Sequence, residues 1–518
     1  MIKLNLLTSI LTTCCKKPVV NSSIFLFLVV IFGSFSAAQT PPPPPAMIDP
    51  TLDVRPIATG LVQPTTMAFI GYDDILVLEK ASGKVQRVLN GKIVGTALDL
   101  AVNSASERGL LGIALHPDFP EVPLVYLYWT ESSTGADSTD LAAVPTLGNR
   151  VDRYVWTGSA LAFDRNMIRL RAFQADAGQP LRGNHNGGVL AFEEQPKSDK
   201  SEGKGKKRRG HRWWEHNDDC NDDLEKFYIF IGDNGRRGWL QNILSGVPIP
   251  DDQFGGLEPD NAHLTGVVIR LNENGTTPND NPFFEYGTQV GGEVGANLQR
   301  IFSFGRRNSF GMAVDPYSGR LWLEENSDDA FDEVSLVEPG SNGGWTQIMG
   351  PVSRIAQFKA IEIARAGGLQ QIRFPPTALA DTPREALQRL FVVPESRYRD
   401  PEFSWKFAVA PAGLGFVKGR KLGRKYDGDM IIGASRPTLE NGYLFRMKLN
   451  DSRRDFAHVD PRLNDRVADN LDKFEITESE TLLFGRNFGV GTDIKTGPDG
   501  HLYVVSLSNG AIYQIFMR

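Results

Sequence analysis

Short apolar runs recur along most of the chain, separated by turns rich in Gly, Asp, Asn and Pro. The first group is Met67-Ala-Phe-Ile, Ile75-Leu-Val-Leu-Glu and Lys84-Val-Gln-Arg-Val-Leu, joined by Gly-Tyr-Asp-Asp and Ala-Ser-Gly. Runs of this length with such turns predict an antiparallel meander. The pattern then returns. Leu111-Gly-Ile-Ala-Leu precedes Leu124-Val-Tyr-Leu-Tyr-Trp, and Gly187-Gly-Val-Leu-Ala-Phe precedes Phe227-Tyr-Ile-Phe-Ile-Gly-Asp. Phe310-Gly-Met-Ala-Val precedes Arg320-Leu-Trp-Leu, and Ala412-Gly-Leu-Gly-Phe-Val precedes Asp429-Met-Ile-Ile-Gly. Thr492-Asp-Ile-Lys-Thr precedes His501-Leu-Tyr-Val-Val-Ser and Ala511-Ile-Tyr-Gln-Ile. A sustained helical period is missing except for an ambiguous segment at 361–390.

About six such units, each longer than forty residues, predict an all-β chain: a six-bladed β-propeller of four-stranded antiparallel blades. One blade cannot bury both of its faces, so the blades must pack in a ring. Loops far apart in sequence then meet around one channel. The propeller is expected over 51–518. One charged segment, 193–226, interrupts what should be a single hairpin. Its Lys-Arg run, then His211, His216, Cys220 and an Asp-rich stretch, read as a solvated insertion loop, because the spacing matches no zinc signature and no calcium loop.

The N-terminus has a different texture. Residues 1–38 carry Lys16-Lys17, the apolar run 24–32 and small residues at 34–38, the layout of a cleavable export signal. The apolar run is shorter than the ~20 residues of a membrane span, so no integral span is expected in the mature chain. An uncleaved anchor facing outside is the alternative. Residues 39–50 form a proline-rich linker. Cys14 and Cys15 would leave with the signal, so Cys220 alone remains and no intrachain disulfide can form. A net charge of -6 argues against nucleic acid as a partner.

The candidate chemistry gathers in the stretch 301–345. Arg307-Asn308 stands between two strand-like runs, and Asp332-Glu333 and a Gly-rich corner ending at Trp345 follow. An arginine and an amide at a strand end make a rigid reader for an anionic or carbonyl ligand. The same arginine could close a blade corner, and His185 in Asn-His-Asn-Gly-Gly could order a turn. His116, in His-Pro-Asp, reads as a turn residue.

Several stretches together resemble one family. Residues 109–119, 184–190, 266–276 with Asn281-Pro-Phe, 307–333, 340–345, 410–414 and 498–503 are similar, in order, to the glucose/sorbosone dehydrogenases, the soluble quinoprotein sugar dehydrogenases. The resemblance covers most of 51–518. It implies a six-bladed propeller that binds pyrroloquinoline quinone (PQQ) and calcium (Ca2+) and oxidises an aldose at C1 to a lactone. It implies His185 as the base for the C1 hydroxyl proton, a task suited to a neutral imidazole near pH 7. Arg307 would stabilise the oxygen that becomes anionic, and Asn308 would hydrogen-bond the cofactor. Arg436 is the nearest cation to the family's lysine, and Arg486 is placed to substitute for the quinone-binding arginine pair of the last blade, which reads Phe488-Gly-Val-Gly-Thr-Asp here. Ser327, Asp328 and Asp332 are the expected calcium residues. Two positions depart from the family: Phe310 replaces a glutamine, and Ser327-Asp328 replaces Gly-Pro.

The expected function is therefore that of a secreted or periplasmic PQQ-dependent sugar dehydrogenase, with a small sugar as substrate and an external electron acceptor. The alternatives are a cofactor-less propeller serving as a carbohydrate- or protein-binding module, and a calcium-dependent lactonase built on Glu325, Asn326 and Asp332.

Overall fold

A computed structural model describes residues 43–174, 181–193, 224–235, 238–243, 263–365, 374–434, 442–457 and 459–518. The expected signal, most of the charged insertion and the first residues of the linker lie outside them. The strands form six sheets, each built on four antiparallel strands, in chain order in all but the last. The first runs Pro64–Gly71, Asp74–Glu79, Lys84–Leu89, Lys92–Asp99. Its register pairs Ile75 with Phe69 on one side and Val88 on the other.

The strand Asp74–Glu79 shows why the apolar runs are continuous rather than alternating. Leu76 and Leu78 pack on one face with Ile113, Val125 and Leu127 of the second sheet. Ile75 and Val77 pack on the other with Val505 and Ile512 of the last sheet. Successive side chains point to opposite faces, and here both faces are covered. This arrangement is propagated around the molecule. The first strand of each sheet packs on the first strand of the next: Pro64–Gly71 on Leu110–Leu115, then Leu190–Phe192, Met312–Val314, Pro411–Phe416 and Gly491–Thr496, which returns to Pro64–Gly71. The fold is thus an all-β propeller of four-stranded antiparallel blades.

The ring is closed by hydrogen bonds between the two ends of the folded body. The last sheet draws three strands from the C-terminus and its outer strand from Leu52–Thr59, with Leu52 opposite Met517 and Thr59 opposite Ala511. Short strands extend three other sheets. Ala46–Met47 pairs with Leu483–Arg486, so the end of the proline-rich segment joins the body instead of standing clear of it. Ser341–Asn342 and Arg397–Tyr398 add in parallel to the third sheet, and Val467–Ala468 to the fourth.

The helices depart most from the expected pattern. Phe284–Val290 and Gly292–Arg300 fall outside 361–390, where no sustained helical period was expected. Their contribution to the core comes through single positions such as Leu298, which packs with Phe283 and Val393, so no long apolar stripe announces them. The ambiguous segment 361–390 holds the end of Ile355–Ala364 and all of Pro383–Gln388, the latter capped by Thr382. Among the described residues no helix is long and apolar enough to cross a membrane.

Trp322 is fully buried between the fourth sheet and Phe456, whereas Phe163 is 59% exposed on an outer strand. Trp322→Ala should therefore cost ~3–5 kcal/mol in a urea titration, and Phe163→Ala no more than about 0.5 kcal/mol. Equal costs would contradict the packing described.

Candidate active site

The loops that enter the first strands of successive sheets converge on one cavity. Glu107 precedes Leu110–Leu115, Arg182, Asn184 and His185 precede Leu190–Phe192, and Arg307, Asn308 and Phe310 precede Met312–Val314. Asn326, Ser327, Asp328, Ala408 and Ala410 continue the wall, and Lys473 and Phe474 complete it. The cavity measures about 310 Å³, near the lower end of ordinary ligand pockets (about 300–1,000 Å³).

His185 is held with unusual firmness. Its φ is 56°, in the left-handed region. Its amide donates to Glu107 Oε2 at 2.6 Å, and its carbonyl accepts from Asn234 Nδ2 at 2.8 Å. Gly232 permits this approach, because a Cβ there would meet the His185 carbonyl oxygen at 2.5 Å. The ring Nδ1 lies 2.6 Å from Asp233 Oδ1. A carboxylate only accepts, so Nδ1 carries the proton and Nε2 is the acceptor. Nε2 has no hydrogen-bond partner among the described residues, and the side chain lines the cavity.

Asp233 is fully buried at the end of the strand Lys226–Ile231. Its Oδ1 also accepts from the Gly235 amide at 2.6 Å, and its Oδ2 from Trp345 Nε1 at 2.7 Å. Burial works against the charge, but His185, the hydrogen bond to it and the Arg307 guanidinium outweigh burial and hold the carboxyl below its ordinary range.

Arg307 is fixed at both ends. Its amide donates to Glu325 Oε1 at 2.5 Å, and its carbonyl accepts from the Asp233 amide at 2.8 Å. The guanidinium donates to the Asn326 carbonyl at 2.7 Å, pairs with Asp328 at 2.6 Å and lies 5.4 Å from the Trp345 ring centre. Burial opposes its charge, yet Asp328, Asp233 and Glu107 keep its pKa raised. Its Nε is buried without a partner, as is Asn308 Oδ1. Asn308 Nδ2 donates to Glu107 Oε2 at 3.2 Å.

The structure thus brings His185, Arg307, Asn308, Ser327, Asp328 and Asp332 to one cavity. Of the expected calcium residues Ser327, Asp328 and Asp332, the aspartate at 332 is the most heavily bonded. Asp332 Oδ1 accepts from the Ser327 amide and hydroxyl at 2.7 and 2.9 Å, and Oδ2 from the Val409 and Ala410 amides at 2.6 and 2.7 Å. Its lone pairs are spent on fastening loops; Asp328 gives Oδ1 to Arg307, while its Oδ2 is buried without a partner. Among the described residues no group of three or more His, Cys, Asp or Glu could hold a metal. The lactonase residues are committed in the same way: Glu325 holds the Arg307 amide and Arg306, and the Asn326 amide group donates to Glu324 and the Pro411 carbonyl.

Arg486 needs correction. It is exposed at the end of an outer strand, opposite Ala46 and Tyr443, and does not line the cavity. The strand register sends it to the rim. Arg436 lies outside the described residues.

Five functional candidates were not singled out from the sequence. Asp233 ends an apolar run in plain view, and Glu107 stands two residues before a family-like stretch. Arg182 lies three residues before His185. Lys473 and Phe474 carried no signal, because a loop of the chain after the fifth sheet's third strand reaches back across the fourth sheet to deliver them. Phe474 donates its amide to the Ala408 carbonyl at 2.8 Å.

Comparison with known proteins points to one family. The family model for glucose/sorbosone dehydrogenase matches residues 61–199 and 246–362, which include Glu107, His185, Arg307 and Trp345. The chain is 23% identical over 471 residues to the aldose sugar dehydrogenase YliI of Escherichia coli (strain K12), covering 90% of this chain and 94% of that protein. It is 23% identical over 427 residues to quinoprotein glucose dehydrogenase B of Acinetobacter calcoaceticus, covering 77% of each. The PQQ-bound aldose sugar dehydrogenase of Streptomyces coelicolor shares the fold at a TM-score of 0.51 and 21% identity, over 92% of this chain and 100% of that one. The chain belongs to the glucose/sorbosone dehydrogenase family.

Proposed function

We propose that this chain is an exported, six-bladed quinoprotein dehydrogenase that oxidises an aldose or a related alcohol. The observation that carries the reading is the buried Asp233–His185 pair, which leaves Nε2 as an acceptor in a cavity shared with Arg307 and Asn308. When bound, PQQ supplies the two-electron acceptor for the hydride that leaves C1 of the sugar. The cavity fits such a group in chemistry. Arg307 Nε and Asn308 Oδ1 are buried polar atoms lacking a partner in the wall, and a ligand would satisfy both. These two residues would hold the cofactor. Of the residues expected to bind calcium, Asp332 is committed to the wall, whereas Asp328 keeps a buried Oδ2 without a partner that a cation would satisfy.

His185 Nε2 takes the proton of the C1 hydroxyl as the C1–H bond breaks, and the sugar leaves as the lactone. Asp233 fixes the tautomer that makes Nε2 basic and steadies the imidazolium that forms. Arg307, immobilised by Asp328, Asn326 and Trp345, presents a fixed positive charge where negative charge develops, at no cost of reorganisation. Phe310 and Phe474 give the wall two apolar surfaces beside these polar groups. An external electron acceptor then regenerates the oxidised state.

Reconstitution of the purified chain with PQQ should give dye reduction with one or more aldoses and a shift in the quinone absorbance. Neither signal across an aldose panel would overturn the proposal. His185→Ala should lower kcat by about 10²–10⁴-fold, the range of general acid–base catalysis, while quinone still binds.

Asp233→Asn tests the positioning of the ring. It should lower kcat and change its pH profile while leaving quinone affinity nearly intact, because Asn can present either a donor or an acceptor to Nδ1. Stability carries a sign of its own. The folded pKa of Asp233 lies below the ordinary value, so its charge adds stability that is complete above pH ~3.9 and is lost as pH falls through the folded value. The variant should be less stable at pH 7 by about 1–3 kcal/mol. That deficit should narrow on acidification below pH ~4. A deficit independent of pH would refute the assigned charge.

A further inference from the structure

Three cationic side chains face the cavity: Arg182, Arg307 and Lys473. Two are already neutralised. Arg307 pairs with Asp328 at 2.6 Å. Lys473 pairs with Asp329 at 2.6 Å and donates to the Asp328 carbonyl at 2.5 Å. Arg182 has no acidic partner among the described residues, and its Nε is buried with no hydrogen bond. Glu107, the nearest wall carboxylate in sequence terms, is occupied by the His185 amide, Asn308 and Asn184.

The backbone under Arg182 is fixed. Its carbonyl accepts from Arg108 Nη2 at 3.0 Å, and the next carbonyl, of Gly183, accepts from the Glu107 amide at 2.9 Å. Arg108 is itself fully buried and donates to the Leu141 and Ala172 carbonyls. A half-buried guanidinium without a counter-charge among the described residues, rising from an anchored backbone three residues before His185, suits an anionic ligand.

We infer that Arg182 is the anion-binding residue of this cavity and takes a carboxylate there. Its planar fork suits a carboxylate bidentately. The carboxylate can belong to the tricarboxylate quinone or to an acidic sugar. The first source rests on the proposed quinone chemistry; the second does not.

The test is calorimetric titration of the full chain and its Arg182→Gln and Arg182→Lys variants with PQQ, with glucuronate and with glucose as the neutral control. Removing the guanidinium should weaken binding of the carboxylate ligand by about tenfold or more. Lysine should recover part of this, because it keeps the charge and loses the fork. Glucose should be unaffected. A loss confined to PQQ identifies the cofactor as the source, and a loss confined to glucuronate identifies the substrate. Wild-type chain that ignores PQQ but binds glucuronate through Arg182 sinks the quinoprotein reading and supports this inference. Unchanged affinities in Arg182→Gln, or a wild-type chain that binds neither carboxylate, overturn it. If the glutamine variant does not fold, the lysine variant decides: the same affinity as wild type for both ligands overturns the inference.

Discussion

Asp233 sits where water does not reach, and a carboxylate in that position is tolerable only when donors surround it. Here they come from three parts of the chain. His185 Nδ1 arrives from the loop before the third sheet, the Gly235 amide from the turn just after the aspartate, and Trp345 Nε1 from the corner beyond the fourth sheet's third strand. The aspartate's own amide donates to the Arg307 carbonyl. One buried charge therefore sets the orientation of the imidazole, the place of the indole and the path of the arginine's backbone. The indole in turn underlies the Arg307 guanidinium. The imidazole of His185 and the guanidinium of Arg307 are registered to each other through this single carboxylate.

The other buried acids work as fasteners. Glu324 accepts from the Phe310 amide, Glu325 from the Arg307 amide, Glu333 from the Gly350 amide, and Asp332 from Ser327, Val409 and Ala410. All four stand on or beside strands that are buried on both faces, where a loop amide has no water to turn to. Burial pushes Glu324 and Glu333 well above their ordinary range, and Glu325 and Asp332 upward as well. The dense acidic composition of 324–333 thus describes how the wall is stitched, and a metal site does not follow from it.

The ring was legible because each apolar run is buried on both sides, and six returns of the same run-turn-run unit have no other economical packing. The meeting of His185, Arg307 and Asn308 at one cavity was legible because their neighbours match a family pattern. The bonds of Asp332 were not legible for a physical reason: sequence gives a carboxylate's position but not where its lone pairs are spent. Arg486 was misread because a shift from the first to the fourth strand of a sheet moves a residue from the channel to the rim, and motif order does not count strands. The helices at 284–300 were missed because they contribute one or two core residues each, too few for a period to register.

Lys473 and Phe474 mark the limit of reading the chain in order. The loop that carries them crosses to a different sheet, where Asn470 bonds both the amide and the carbonyl of Phe407. Phe474 adopts a φ of 64° to follow Ala408. Such a conformation in a bulky residue persists only when its surroundings impose it, and here the fourth sheet does so. Part of the cavity wall is consequently supplied by a segment whose own sequence shows no catalytic pattern. Its lysine is spent on the Asp328–Asp329 turn, which positions the partner of Arg307. A substitution at Lys473 would thus act on Arg307 through that turn, and its effect would appear in the arginine's placement before it appeared in any ligand contact.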